Sequence, residues 1–294
     1  MEQITIFDML YPTFRIDKPI RLIELFGGIG SQAMALRNIG ANFEHYRLVE
    51  FDKYAIASYN AIHGTSFEPM DIRNVHGPDM GIIDKDRYCY IVTYSFPCQD
   101  LSVAGKQRGM TKGSGTRSGL LWEVERILDE CEELPQVLLM ENVPMVHSAD
   151  NMPDFQKWID FLTSKGYSSY WQDLNARNYG VAQNRERCFM VSILGEWNYK
   201  FPQQIQLCKV MKDYLEDEVP EKYYITSEKA KILIDKLIQE GKILTDRQTD
   251  RQTIDLCLKN PRTINNANCI KARYDDGISN LQADGSGVVE IAML

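Results

Sequence analysis

Up to about residue 195, short apolar runs alternate with stretches whose apolar positions recur every three or four residues. Residues 20–26, Ile-Arg-Leu-Ile-Glu-Leu-Phe, read as a strand that enters the tight turn Gly27-Gly28-Ile29-Gly30. Ser31 is placed to cap a helix running to about Ile39 and closed by Gly40. A second strand over 46–51 ends on acids, and a helix over 52–62 carries Ala55, Ile56 and Tyr59 on one face. Strands follow over 88–95, 136–140, 168–174 and 188–194. Between them, Ser118 and Asn151 stand as caps of two further amphipathic helices, one carrying Leu121, Val124 and Leu128, the other Phe155, Trp158 and Leu162. Strands alternating with such helices predict an α/β fold, a doubly wound, mostly parallel sheet with helices on both faces.

Beyond Gly195 the alternation fades. A helix is predicted over 227–239, and the rest is polar and irregular until the strand-like 288–291. The tandem Thr245-Asp-Arg-Gln and Thr249-Asp-Arg-Gln is too short for a structural repeat and reads as a local duplication in a loop.

The 44% hydrophobic and 25% charged content is that of a globular chain, with no apolar run long enough to span a bilayer and no signal-peptide pattern. Seven scattered cysteines without a CxxC spacing argue for a reducing, cytoplasmic setting and against a disulfide framework. Neither the cysteines nor the four histidines show ligand spacing, so no metal is expected. The net charge of −8 lowers the expectation of nucleic-acid binding, although binding follows local clusters more than net charge.

One such cluster stands next to the most reactive residue type in the chain. Phe96-Pro97-Cys98-Gln99 ends an apolar strand, and residues 105–119 then hold five glycines, the cations Lys106, Arg108, Lys112 and Arg117, and no acid. Proline directs the chain into the turn, glycines free the loop, and cations favour a thiolate and an anionic ligand. A buried structural cysteine beside an ordinary loop fits the same residues. The turn Phe26-Gly27-Gly28-Ile29-Gly30 lacks a full G-x-G-x-x-G, so it suits a nucleoside-like cofactor better than a dinucleotide, or plain strand-to-helix packing. Glu50, about 20 residues on, is placed for ribose hydroxyls, and Asp71 for an adenine amino group. Glu141-Asn142-Val143-Pro144 follows a strand and brings a carboxylate to the same sheet edge as Cys98. Arg185 and Arg187 share one side of an extended segment, suited to ion pairing, to orienting Glu141 or to holding phosphate.

Taken in order, Phe26–Gly30, Glu50, Asp71, Pro97-Cys98-Gln99, Ser102-x-Ala104-Gly105, Glu141-Asn142-Val143 and Gln183-x-Arg185-x-Arg187 closely resemble the motifs of the bacterial and phage cytosine-5 DNA methyltransferases. The resemblance covers roughly residues 20–195 and implies a Rossmann-like fold, S-adenosyl-L-methionine as cofactor and a cytosine flipped out of double-stranded DNA as substrate. It implies that Cys98 adds to carbon 6 of the base, that Glu141 acts at ring nitrogen 3, and that Arg185 and Arg187 steady the nucleotide and the glutamate. Phe26, Gly27, Gly28, Gly30, Glu50, Phe51, Asp71, Ile72 and Pro97 would line the cofactor, with Phe51 packing on adenine. Gln99, Ser102, Lys106, Arg108, Arg117 and Gln183 would lie by the DNA.

By the same likeness, residues 1–19 form an N-terminal extension, 20–199 the catalytic domain and 200–294 the start of a target-recognition region, where Arg262–Ile264 and Ala272–Tyr274 fit. The family's two terminal motifs have no counterpart before Leu294, so a second subunit supplying them, or a truncated gene, is the expectation. A cognate restriction endonuclease is a further partner the likeness suggests. Two other readings share these motifs: a transfer-RNA cytosine-5 methyltransferase, and a non-catalytic remnant that binds cofactor or DNA.

Overall fold

The structure is a computed structural model that describes residues 12–101, 108–216, 220, 228–241, 251–255, 262–263, 267–268 and 286–290. The chain divides into two compact units, one of residues 1–174 with 187–201, the other of residues 175–186 with 202–294.

In chain order the first unit contains β1 (Ile20–Leu25), α1 (Ser31–Asn38), β2 (Phe43–Val49), α2 (Lys53–His63), β3 (Cys89–Tyr94), α3 (Leu121–Glu130), β4 (Val137–Asn142), α4 (Met152–Ser164) and β5 (Tyr167–Asn175). The two-residue β6 (Gln183–Asn184) belongs to the second unit, and β7 (Glu186–Leu194) returns to the first. Six strands form one sheet in the order β2-β1-β3-β4-β7-β5. The β1–β2, β1–β3 and β3–β4 pairs are parallel, whereas β4 and β7 run antiparallel, with Glu141 opposite Phe189 and Asn142 opposite Cys188.

The side chains of β3 sort by alternation. Tyr90, Val92 and Tyr94 join the larger core with Leu121, Val124 and Leu128 of α3 and Phe155, Trp158 and Leu162 of α4. Cys89 and Ile91 enter a smaller core on the other face, which takes Ala33 of α1. Both faces are therefore covered, as a doubly wound sheet requires.

Two expected caps are used differently. Ser118 lies in a short 3-10 turn, Ser118–Leu120, ahead of α3, and Asn151 makes no capping bond to α4. Asn151 instead donates Nδ2 to the Met145 carbonyl and to Ser148 Oγ. Helix α1 is capped by Gly30, in the left-handed region at φ 81°, while Ser31 donates to the side chain of Gln32. Asp52 caps α2, accepting from the N–H groups of Tyr54 and Ala55.

In the second unit, β6 pairs in parallel with β10 (Ala267–Asn268), and β8 (Arg251–Asp255) pairs antiparallel with β9 (Arg262–Thr263) and β11 (Ser286–Glu290). One helix, α5 (Glu228–Gln239), falls where periodicity placed it. Short strands thus occupy part of a stretch that reads as irregular. Residues 245–250 of the tandem repeat and Ala272–Tyr274 lie outside the described residues, whereas Arg251 and Gln252, which end its second copy, open β8 where a loop was expected. Among the described residues no helix is long and apolar enough to cross a membrane.

Candidate active site

The carboxyl ends of β1, β2, β3 and β4 meet along one sheet edge, where ligands bind in open α/β sheets. At the end of β1 the backbone turns sharply. Phe26 has φ 56°, the one positive value among described non-glycine residues, and its N–H donates to the Val49 carbonyl at 2.7 Å. A Cβ on Gly27 would lie 2.4 Å from Leu48 Cδ1, and one on Gly30 2.4 Å from His63 Nε2. Gly28 differs: its φ is +55°, and a Cβ there would meet nothing within 4 Å. Two of the glycines are thus required by packing, and the third opens onto free space.

Glu50 lies one residue beyond β2. Its Oε2 accepts the Gly28 N–H at 3.0 Å and its Oε1 the Asp52 N–H at 2.9 Å, so the carboxylate is fixed with lone pairs to spare. Beside it, Phe51 leaves 73% of its surface exposed. A held carboxylate and an uncovered aromatic face next to an open glycine turn fit the ribose and purine of a nucleoside cofactor. Asp71 is engaged differently from the expectation. It caps a 3-10 turn and pairs with the Arg73 guanidinium, which, with the Arg73 N–H, holds its carboxyl below the usual range. Ile72 is buried in the main core, and its carbonyl accepts from Arg126 of α3, which also binds the Val75 carbonyl.

Cys98 is half-buried and lies four residues past the end of β3. Two side chains hold its segment through three hydrogen bonds. Asn142 donates Nδ2 to the Phe96 carbonyl at 3.0 Å, Ser118 donates Oγ to the Pro97 carbonyl at 2.7 Å, and Ser118 accepts the Asp100 N–H. The Asp100 carboxylate in turn accepts the Arg117 N–H at 2.8 Å. Glu141 sits inside β4, where the antiparallel neighbour β7 extends the strand past Met140, and its Oε1 lies 3.0 Å from Arg187 Nε. Both side chains of that pair are mostly buried. The Asn142 bond joins the Cys98 turn to the strand that carries Glu141.

The cationic loop is less bare than its composition suggests. Arg117 donates Nη1 to Gln99 Oε1 at 2.6 Å, and Lys112 pairs with Glu125 and lies 5.5 Å from the Trp122 ring centroid. Arg108 is exposed, while Ser102 and Lys106 lie outside the described residues. Gln183 and Arg185 belong to the second unit, where Gln183 pairs with Ala267 and the Arg185 carbonyl accepts the Ala176 N–H. Arg187 belongs to the first and lies on β7, whereas Arg185 directly precedes that strand.

Sequence reading passed over three supporting residues. Ser118 was assigned to a helix cap, and Asn142 was treated only as part of a motif. Glu24, in the middle of an apolar strand, was the most visible signal. It is fully buried, Oε1 has no hydrogen-bond partner, and Oε2 accepts from Tyr59. Burial pushes its carboxyl up to about 7, against the opposing effect of the Tyr59 bond.

A glycine turn with a fixed carboxylate, a braced cysteine and an arginine-paired glutamate thus stand at the carboxyl ends of the parallel strands of an α/β sheet, an arrangement suited to a transferase. The C-5 cytosine-specific DNA methylase family matches residues 20–286, and the chain belongs to that family. It is similar to the type II methyltransferase M2.ScrFI of Lactococcus lactis subsp. cremoris, at 34% identity over 254 residues and 70% of each chain. It is 34% identical over 259 residues to the orphan methyltransferase M.SssI of Spiroplasma monobiae, covering 70% of this chain and 67% of that one. The solved structure of the Entamoeba histolytica methyltransferase EhMeth shares the fold at TM-score 0.61 and 18% identity, over 78% of this chain and 67% of that one. The chain is accordingly a DNA cytosine-5 methyltransferase that uses S-adenosylmethionine.

Proposed function

We propose that Cys98 is the nucleophile of this methyltransferase, that Glu141 is its proton-holding partner and that Arg187 positions Glu141. Carbon 5 of cytosine is a poor nucleophile, so activation must precede alkylation. The Cys98 thiolate adds to carbon 6, and electron density moves onto carbon 5 and toward ring nitrogen 3. Glu141 holds a proton at nitrogen 3 and stabilises the charge that builds there. The bound cofactor supplies an electrophilic methyl group on a sulfonium. Afterwards a base removes the proton from carbon 5 and the carbon–sulfur bond breaks, releasing the Cys98 thiolate. The reacting atoms are stacked inside a duplex, so the base leaves the stack first.

The observation that carries this reading is the 3.0 Å Glu141–Arg187 pair on the strand tied by Asn142 to the Cys98 turn. Glu50 and Phe51, with the backbone of Phe26, Gly27, Gly28, Gly30, Ile72 and Pro97, would hold the cofactor. Asp71 would reach adenine only while sharing its carboxylate with Arg73. Gln99, Ser102, Lys106, Arg108, Arg117 and Gln183 are assigned to DNA, and Arg185 to the flipped nucleotide. Residues 1–19 are assigned to an N-terminal extension, 20–199 to catalysis and 200–294 to target recognition. Two partners complete the proposal, a second subunit and a companion restriction endonuclease, together with a cytoplasmic setting. Labelled methyl transfer to duplex DNA, with and without the neighbouring gene product, tests these assignments. Label in the cytosines of DNA supports the reading, and label confined to transfer RNA would contradict it.

A further inference from the structure

The fold gathers three ligand-type side chains that lie far apart in sequence. His147 ends the 3-10 turn Pro144–His147 after β4, Asp173 lies on β5 and Cys188 on the adjacent β7. His147 Nε2 is 3.0 Å from both carboxylate oxygens of Asp173, and a ring nitrogen of His147, a carboxylate oxygen of Asp173 and Cys188 Sγ all lie within 4.8 Å of one another. Cys188 is fully buried, whereas His147 and Asp173 keep a path to solvent. The Trp171 ring lies 4.7 Å from the imidazole centroid and Phe155 6.2 Å, giving the group an aromatic wall. The proposed reaction uses none of these three side chains.

We propose that His147, Asp173 and Cys188 form a binding site for one zinc ion, completed by water. A thiolate, an imidazole and a carboxylate are a borderline-soft donor set that suits zinc better than magnesium or calcium. Bond lengths of about 2.0–2.3 Å put tetrahedral ligands roughly 3.3–3.6 Å apart, between the shortest and longest separations found here. The site joins the segment after β4 to β5 and β7, beside Arg187 and hence beside the Glu141 pair. The arrangement does not suit Cys188 to nucleophilic work, because burial and the neighbouring Asp173 push its thiol up to about 12. Zinc displaces that proton to the solvent as the S–Zn bond forms, and the histidine binds through Nε2 with its proton on Nδ1. No oxidation or reduction is involved.

Cobalt(II) and zinc titrations of the whole chain test the proposal. One equivalent of cobalt should produce a thiolate-to-cobalt charge-transfer band, abolished by one equivalent of zinc. Calorimetry in buffers of different ionisation enthalpy should show about one proton released per zinc bound. Cys188→Ala should lose the band, and His147→Gln and Asp173→Asn should each weaken zinc binding by at least about 100-fold. Cys98→Ser should keep both band and affinity. If Cys188→Ala does not fold, the two half-buried substitutions carry the test, with melting in metal-free buffer as the control. Absence of the band in the parent chain, its survival in Cys188→Ala, or its loss in Cys98→Ser would overturn the assignment.

Discussion

Glu24 shows how much one buried carboxyl can shape the molecule's response to pH. Its usual value of 4.5 is raised to about 7 in the fold, so between those values the folded state holds a proton that the unfolded state has lost. Stability from this group is therefore complete below about pH 4.5, falls as pH rises through the window and levels off above about pH 7. At most about 3.5 kcal/mol is involved, taking about 1.4 kcal/mol per pKa unit. Glu24→Gln should flatten this slope in urea melts of the cofactor-free protein between pH 5 and 8, and an unchanged slope would remove Glu24 from the account. Glu50 makes a different kind of contribution. Its carboxylate is already fixed by two backbone N–H groups, so it can meet a ligand without reorganising. Glu50→Ala is expected to weaken S-adenosylmethionine binding by about 1.5–3 kcal/mol, the range for a charged hydrogen bond, read by calorimetry. Unaltered affinity would move the cofactor off this edge.

Strands and helices show what pattern alone could convey. The alternation of β1 and β3 and the helical spacing in α3 were legible because each reports which face of a single element is buried. The end of β4 was not. Its extension through Glu141 and Asn142 depends on pairing with β7, a neighbour whose antiparallel direction no local pattern encodes. The caps failed for a related reason. Ser118 and Asn151 are typical capping residues, but a short hydroxyl or amide bonds whichever backbone group the fold brings closest. For Ser118 that group is Pro97, next to the candidate nucleophile. Ser118→Ala leaves the half-buried Pro97 carbonyl and the buried Asp100 N–H short of a partner, at about 1–3 kcal/mol in stability. It should also slow Cys98 trapping under conditions where both proteins are fully folded. Equal trapping rates would show that the bond supports the fold without placing the thiol.

At the scale of the whole molecule, the net charge of −8 gave little help, because the DNA-facing assignment rests on a few cations in one loop. Even there, Lys112 and Arg117 have partners within the protein, so the loop presents less free charge than its sequence implies. Motif order was far more legible than geometry. The residues proposed for the cofactor and for Cys98–Glu141 chemistry could be picked out in sequence, but the placement of Gln183 and Arg185 in the second unit could not. In that unit β6 pairs with β10, which lies far from it in sequence. The convergence of His147, Asp173 and Cys188 was not legible either, since ligand spacing along the chain says nothing about residues brought together from three elements. The central claim is that the chemistry passes through one thiol. Duplex DNA carrying 5-fluorocytosine in place of cytosine tests it, incubated with S-adenosylmethionine and the chain, together with any partner polypeptide needed for turnover. Fluorine cannot leave carbon 5 as a proton does, so the adduct should persist through denaturation. Peptide mass mapping should locate it on Cys98, and Cys98→Ser should abolish it while S-adenosylmethionine affinity stays within about twofold. An adduct on any other cysteine, or one that survives in Cys98→Ser, would contradict the account.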